Sequence, residues 1–107
     1  MNAALARSYR LCEEIARREP GNFYSAFLLL PAPQRRSMCA LYTFMRIADD
    51  LSDGPAPNAV KRQQLDGWRA GLRLALAGQY QHPSHPALHD TVTKHPYIPG
   101  EKFNATT

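Results

Sequence analysis

The sequence predicts an all-α fold, and three observations carry that reading. Apolar residues recur at helical spacing through the long segments, and clusters of Pro and Gly interrupt them. No segment alternates apolar and polar residues as a half-buried strand does, and no internal repeat is visible.

The first helix is expected over residues 3–18, because Leu5, Leu11, Cys12 and Ile15 fall mostly on one side while Arg7, Arg10, Glu14 and Arg17 lie elsewhere. Pro20-Gly21 stops it. Asn22 can then cap a short helix over residues 23–30, ended by the hinge Pro31-Ala32-Pro33. Pro33 suits the first turn of the next helix, expected over residues 33–51, since its missing N–H has no intrahelical partner there.

Asp53-Gly54-Pro55-Ala56-Pro57 reads as a loop, with Asn58 as the N-cap of a fourth helix reaching about residue 77 and Gly78 marking its end. Leu65, Trp68, Leu72, Ala75 and Leu76 form its apolar face, so this helix reads as scaffold, with Gly67 and Gly71 offering close helix approach. After a second loop at residues 79–86, a short helix is expected over residues 86–94.

The 107 residues could hold one compact domain, and a hydrophobic content of 44% is that of a globular protein rather than a disordered one. The formal charge of +4 suits an anionic partner, whether a diphosphate, an acidic lipid surface or nucleic acid. Basic residues come in scattered pairs with no nucleic-acid motif, so nucleic-acid binding is the weaker reading. Cys12 and Cys39 lack CxxC spacing and no signal-peptide apolar region is visible, so buried reduced thiols in a cytoplasmic protein are expected. The apolar stretch from Ala26 to Pro31 is far shorter than the roughly 20 residues a spanning helix needs, which leaves peripheral membrane association open.

The third helix ends in Asp49-Asp50-Leu51-Ser52-Asp53. Asp49 and Asp53 are one turn apart, with Cβ atoms about 5–6 Å from each other on one face. Carboxylates are hard oxygen ligands suited to Mg²⁺, which completes its shell with waters and substrate phosphates. On a helical wheel Tyr42, Arg46, Asp49 and Asp53 fall at about 0°, 40°, −20° and 20°, a stripe roughly 60° wide. Arg46 thus adds a planar, permanent cation matched to phosphate oxygens, and Asp50, at about 80° on the same wheel, can orient Arg46 or a metal-bound water. An ordinary solvated face with Arg46 paired to Asp49 or Asp50 gives the same spacing.

Tyr42 could hydrogen-bond a diphosphate or a water network, or simply be a buried Tyr satisfied by a carboxylate. Phe23 and Phe27 form an i, i+4 aromatic pair that could pack the core or wall a site where a carbocation develops. His85 and His89 have the spacing of two zinc ligands. The H-E-x-x-H context is absent, and Pro86 makes His85 read as a cap.

Residues 22–53 hold an F-Y-x-A-F-x-L-L-P-like block, the pair Arg35-Arg36, an A-L-Y-x-F-x-R core and D-D-x-x-D, in that order. This resembles the start of the squalene and phytoene synthase family, and more weakly so from about Ser8 to Phe103. The resemblance implies the N-terminal helices of an isoprenoid-synthase-type bundle. It further implies a Mg²⁺-dependent prenyltransferase condensing two farnesyl or geranylgeranyl diphosphates head to head, with NADPH used where the product is squalene.

Carried over residue by residue, the resemblance implies Asp49 and Asp53 as metal ligands and Tyr42 and Arg46 as catalytic residues. Asn22, Phe23, Phe27 and Asp50 join Tyr42 and Arg46 in contact with the prenyl diphosphate. Many relatives have a serine-rich segment where this chain has Pro20-Gly21-Asn22, so a hydroxyl contact is not carried over to this loop. The chain is well under half the length expected of a member, ends in Asn104-Ala105-Thr106-Thr107 where the resemblance fades, and lacks the family's second Asp-rich motif. The expectation is therefore a truncated N-terminal part, inactive and marginally stable by itself. A non-catalytic helical interaction module and a basic anionic-surface binder are the alternatives, and neither product nor oligomeric state is readable.

Overall fold

The computed structural model describes residues 2–19 and 23–95. These form helices α1 (Ala3–Arg18), α2 (Phe23–Phe27), α3 (Ala32–Asp53), α4 (Asn58–Leu76) and α5 (His85–Lys94). Among the described residues there is no strand, and no helix is long and apolar enough to cross a membrane.

Local chemistry explains most boundaries. Asn2 caps α1 by accepting the Leu5 N–H at 2.7 Å, and Arg17 and Arg18 lie in the last turn, where cations favour the helix dipole. α2 stops at Phe27, three residues before the expected end. Leu29 and Leu30 donate instead to Ala26 and Phe27, closing tighter turns ahead of Pro31, which disfavours helical backbone at the residue before it. α3 runs on to Asp53, so the whole D-D-x-x-D stretch is helical.

Two capping expectations are corrected. Pro57 is the N-cap of α4, and Asn58 is its first helical residue with no side-chain cap bond. Ser84 takes the N-cap position of α5, and His85 is its first helical residue rather than its cap. The end of α4 follows expectation: Gly78 has φ 87°, its N–H donates to Ala75 O at 3.0 Å, and the Gln79 N–H donates to Leu74 O at 2.8 Å, a Schellman motif.

α1 and α3 pack through small residues. Cys12 and Ala16 meet Cys39 and Ala40, with Tyr9 of α1 and Ala87 of α5 completing the cluster. The buried stripe of α1 is Ser8, Tyr9, Cys12 and Ala16, whereas Leu5, Leu11 and Ile15 are only half-buried. Polar residues enter this core because they are paired. Ser8 Oγ donates to Pro83 O at 2.6 Å and accepts from the Ala87 N–H at 3.0 Å, while Tyr9 OH donates to Asp90 Oδ2 at 2.5 Å. These bonds fasten α5 to α1.

A second cluster joins α4 to the frame through Phe44, Leu72 and Leu88, with Trp68 stacked on Phe44 at 5.4 Å and donating Nε1–H to Phe44 O at 3.2 Å. Of the two glycines of α4, only Gly71 permits a close approach. A Cβ there would sit 3.4 Å from His85 Cε1, whereas Gly67 has open space beside it.

Burial raises the Cys12 thiol to about 12 and the Cys39 thiol to about 11, so neither is a thiolate at neutral pH. Both are free and buried, as expected. Alkylation by iodoacetamide at pH 8 should proceed only with global unfolding and speed up sharply in urea. Rapid labelling of folded protein would contradict this packing.

A second expectation concerns acid. Burial holds His82 and His85 below the ordinary value of 6.5, and for His85 the neighbouring His82 adds to the effect. Below that value the unfolded chain takes up protons that the folded chain resists, so stability is full above about pH 6.5 and falls as the pH drops through it. Urea midpoints should be lower at pH 5.5 than at pH 7.5, and the gap should narrow in the H82Q/H85Q double variant. Equal midpoints in the parent chain would exclude this coupling.

Candidate functional site

The core face of α3 carries Ser37, Cys39, Ala40, Thr43 and Phe44. Tyr42, Arg46, Asp49 and Asp53 share the neighbouring side, where Tyr42 packs at the edge of the core, Arg46 is half-buried and both acids are exposed. Thr43 helps fix this rotation by donating to Cys39 O at 2.8 Å within its own helix and lying 3.4 Å from Cys12 O across the interface with α1.

Arg46 is the electrostatic hub. Its Nη2 lies 3.0 Å from Asp50 Oδ1, the pairing expected from the sequence, and its Nε lies 3.1 Å from Glu19 Oε1. The Glu19 contact is an ion pair whose N–H is not aligned as a hydrogen bond. Glu19 is the residue that sequence reasoning missed. It sits just past the end of α1, 27 positions before Arg46, so no local spacing announces the contact. Only tertiary packing of α1 on α3 brings it there.

Tyr42 reports the same field. Burial raises its phenol above the ordinary value of 10.0, and Glu19, Asp49 and Asp50 push it the same way while Arg46 opposes them. At neutral pH Tyr42 is therefore a protonated hydrogen-bond donor beside carboxylates. Phe27 packs edge-on against Tyr42 with ring centroids 6.3 Å apart, which places α2 against the Tyr42 side of α3. Asn22 lies outside the described residues, and so does the side chain of Phe23, so the expected aromatic pair is placed only at Phe27.

The histidines are used otherwise. His85 is buried with Nδ1 accepting the Gln81 N–H at 3.1 Å, and His89 Nδ1 pairs with Tyr80 OH at 2.7 Å. Among the described residues no group of three His, Cys, Asp or Glu side chains is placed to hold a metal, so a cation at Asp49 and Asp53 would draw its other ligands from water or substrate.

The match of this all-helical fold to a solved structure places the chain in the helical isoprenoid-synthase class. Its fold matches the crystal structure of squalene synthase HpnC from Alicyclobacillus acidocaldarius with a TM-score of 0.82 and 29% identity, over 96% of this chain and 38% of that one. The family model for squalene/phytoene synthase matches residues 16–106. The 15-cis-phytoene synthase of Synechococcus elongatus is 33% identical over 88% of this chain and 30% of its own length. The chloroplastic phytoene synthase 2 of Solanum lycopersicum is 33% identical over 86% of this chain and 30% of its own. The chain belongs to the squalene/phytoene synthase family, and it spans about 30% of the length of these curated relatives.

The electrostatics of the face are testable directly. Arg46→Gln should raise the Tyr42 pKa further, because the one opposing cation is lost, whereas Glu19→Gln should lower it. Carbon-13 NMR titration of labelled tyrosine reads both shifts, and movement of either in the opposite sense would refute the arrangement.

Proposed function

We propose that this chain supplies one metal- and diphosphate-binding wall of a prenyltransferase that condenses two prenyl diphosphates, farnesyl or geranylgeranyl, head to head. The observation that carries the reading is the stripe of α3 holding half-buried Tyr42 and Arg46 and exposed Asp49 and Asp53, with Arg46 between Glu19 and Asp50.

Asp49 and Asp53 fit Mg²⁺ by donor chemistry, since that ion is bound through one or two carboxylates together with substrate phosphates. When bound, Mg²⁺ supplies Lewis-acid stabilisation of charge on a leaving diphosphate. Arg46 offers guanidinium donors to the same diphosphate, and its two acidic neighbours hold it in place. Tyr42, kept protonated, donates to an anionic oxygen. Phe27 supplies an aromatic wall next to that donor, suited to a prenyl tail and to a developing carbocation. Asn22 and Phe23 complete the substrate contacts on the resemblance of their segment, and Asp50 acts as the counter-ion of Arg46. NADPH enters only if the product is squalene.

Two carboxylates on one turn leave most of an octahedral shell to water, so the 107-residue chain by itself should bind Mg²⁺ weakly and show no turnover. Isothermal titration with Mg²⁺ and farnesyl diphosphate checks this, and micromolar, Mg²⁺-dependent binding abolished by Asp53→Asn would show a complete site.

In a full-length protein carrying this segment, Asp49→Asn or Asp53→Asn should lower kcat/KM with either prenyl diphosphate by about 100-fold or more, roughly 2.7 kcal/mol of transition-state stabilisation. Unchanged turnover in both variants would favour a non-catalytic helical module instead.

A further inference from the structure

Arg46 is paired twice, and both pairs lie along one edge of its guanidinium. Nε is 3.1 Å from Glu19 Oε1, and Nη2 is 3.0 Å from Asp50 Oδ1. An arginine meets a phosphate bidentately through two parallel N–H groups, and Nε with Nη2 forms such a fork. One carboxylate therefore stands at each of the two donors that a diphosphate would take.

The two carboxylates are not equivalent. Asp50 is one turn from Arg46 on the same helix with a side chain 60% exposed, so water and salt loosen that pair and it yields easily. Glu19 comes from another element. It is the C-cap of α1, its side chain is 22% exposed, and it faces Arg46 at a nitrogen that is itself buried. Packing of α1 on α3 holds it there. Tyr42 registers the same difference: burial is the first influence raising its phenol, and Glu19 comes next, ahead of Asp49 and Asp50. With four acids, Glu19, Asp49, Asp50 and Asp53, against the single cation Arg46, an anion arriving without a metal meets repulsion as well as an occupied donor.

We propose that Glu19 is a positioning residue that sets the anion selectivity of this face: it competes with diphosphate for the Nε end of Arg46 and keeps metal-free diphosphate off the guanidinium. The inference deepens the reading of Arg46 as a diphosphate contact and rests on it. Asp50 is the partner that gives way, and Glu19 is the one that resists.

The test uses the ¹⁵N-arginine-labelled 107-residue chain titrated with inorganic diphosphate in EDTA, which keeps any metal at Asp49 and Asp53 out of the measurement. The Arg46 Nε–H signal, assigned by its loss in Arg46→Gln, reads binding. Glu19→Gln removes the charge and keeps the shape, and it should tighten Arg46-dependent binding roughly fivefold, the upper end for a partly solvated ion pair. Glu19→Ala should move it in the same direction. Asp50→Asn should tighten it by about twofold at most, and Glu14→Gln, which removes an exposed charge elsewhere on α1, should leave it unchanged. In the Arg46→Gln background, with amide shifts as the readout, the Glu19→Gln gain should vanish, a coupling that a merely structural effect of Glu19 would not produce.

Parent binding that Arg46→Gln leaves unchanged would remove Arg46 from the diphosphate reading, and this inference with it. Arg46-dependent binding indifferent to both Glu19 variants would overturn the role of Glu19 and leave that reading standing. An equal gain in Glu14→Gln, a gain that survives Arg46→Gln, or no saturable binding even in Glu19→Gln would overturn it as well.

Discussion

The close contact of α1 with α3 is the constraint on which the rest depends. It is made by Cys12, Ala16, Cys39, Ala40 and Thr43, all small, so the two helix axes can approach without large side chains between them. A burial of this kind contributes modestly per residue, at about 0.8 kcal/mol per buried CH₂, but it leaves little freedom for rotation. Once α3 is turned so that Cys39, Ala40 and Thr43 face α1, its other residues have their directions set. Asp49 and Asp53 then face solvent, Tyr42 packs at the edge of the seam and Arg46 reaches Glu19 at the end of α1, and a larger residue at Ala40 would disturb that orientation as well as the core.

The ion pairs play a different part. Arg46 with Asp50 and Glu19 is partly solvated, and pairs of that kind are worth about 0–1 kcal/mol, too little to hold a fold together. What they supply is position. Arg46 takes Asp50 and Glu19 as its counter-ions, not Asp49 or Asp53, and so sets a cation beside the acid stripe. Cys39 and Phe44 hold the helix, and the charged residues define what it presents.

Legibility in the sequence follows from whether a feature is local. Helix identity and most ends were readable because Pro20-Gly21, Pro31-Ala32-Pro33 and Gly78 act within a turn of themselves. The acid stripe was readable because its four residues lie on one helix. Glu19 was not, since it reaches Arg46 only through tertiary packing, and neither was the buried role of His85, which packs on Trp68 and accepts the Gln81 N–H. Asn58 misled because a good N-cap residue is a preference, and the Pro57 backbone reached the cap geometry one position earlier. The apolar wheel of α1 pointed to Leu5, Leu11, Cys12 and Ile15, of which Cys12 is fully buried, while Ser8 and Tyr9 took buried positions through hydrogen bonds that no hydropathy pattern encodes.

The surface beside the acid stripe adds a final physical point. Met45 is 51% exposed one turn before Asp49 and near it on the wheel, while Met38, also exposed, lies three turns before Asp49 on the same side. Exposed apolar side chains next to carboxylates are costly in water yet suited to a ligand with a charged head and a hydrocarbon tail, and they equally suit burial under further helices. Both uses require the end of α3 around Asp49 and Asp53 to stay open, and both acids are exposed there. Electrostatic work on a diphosphate also needs a dry, low-dielectric setting, because in open water two carboxylates and an arginine compete with solvent at high dielectric. The chemistry proposed for this face therefore requires a second surface that excludes water over Asp49 and Asp53.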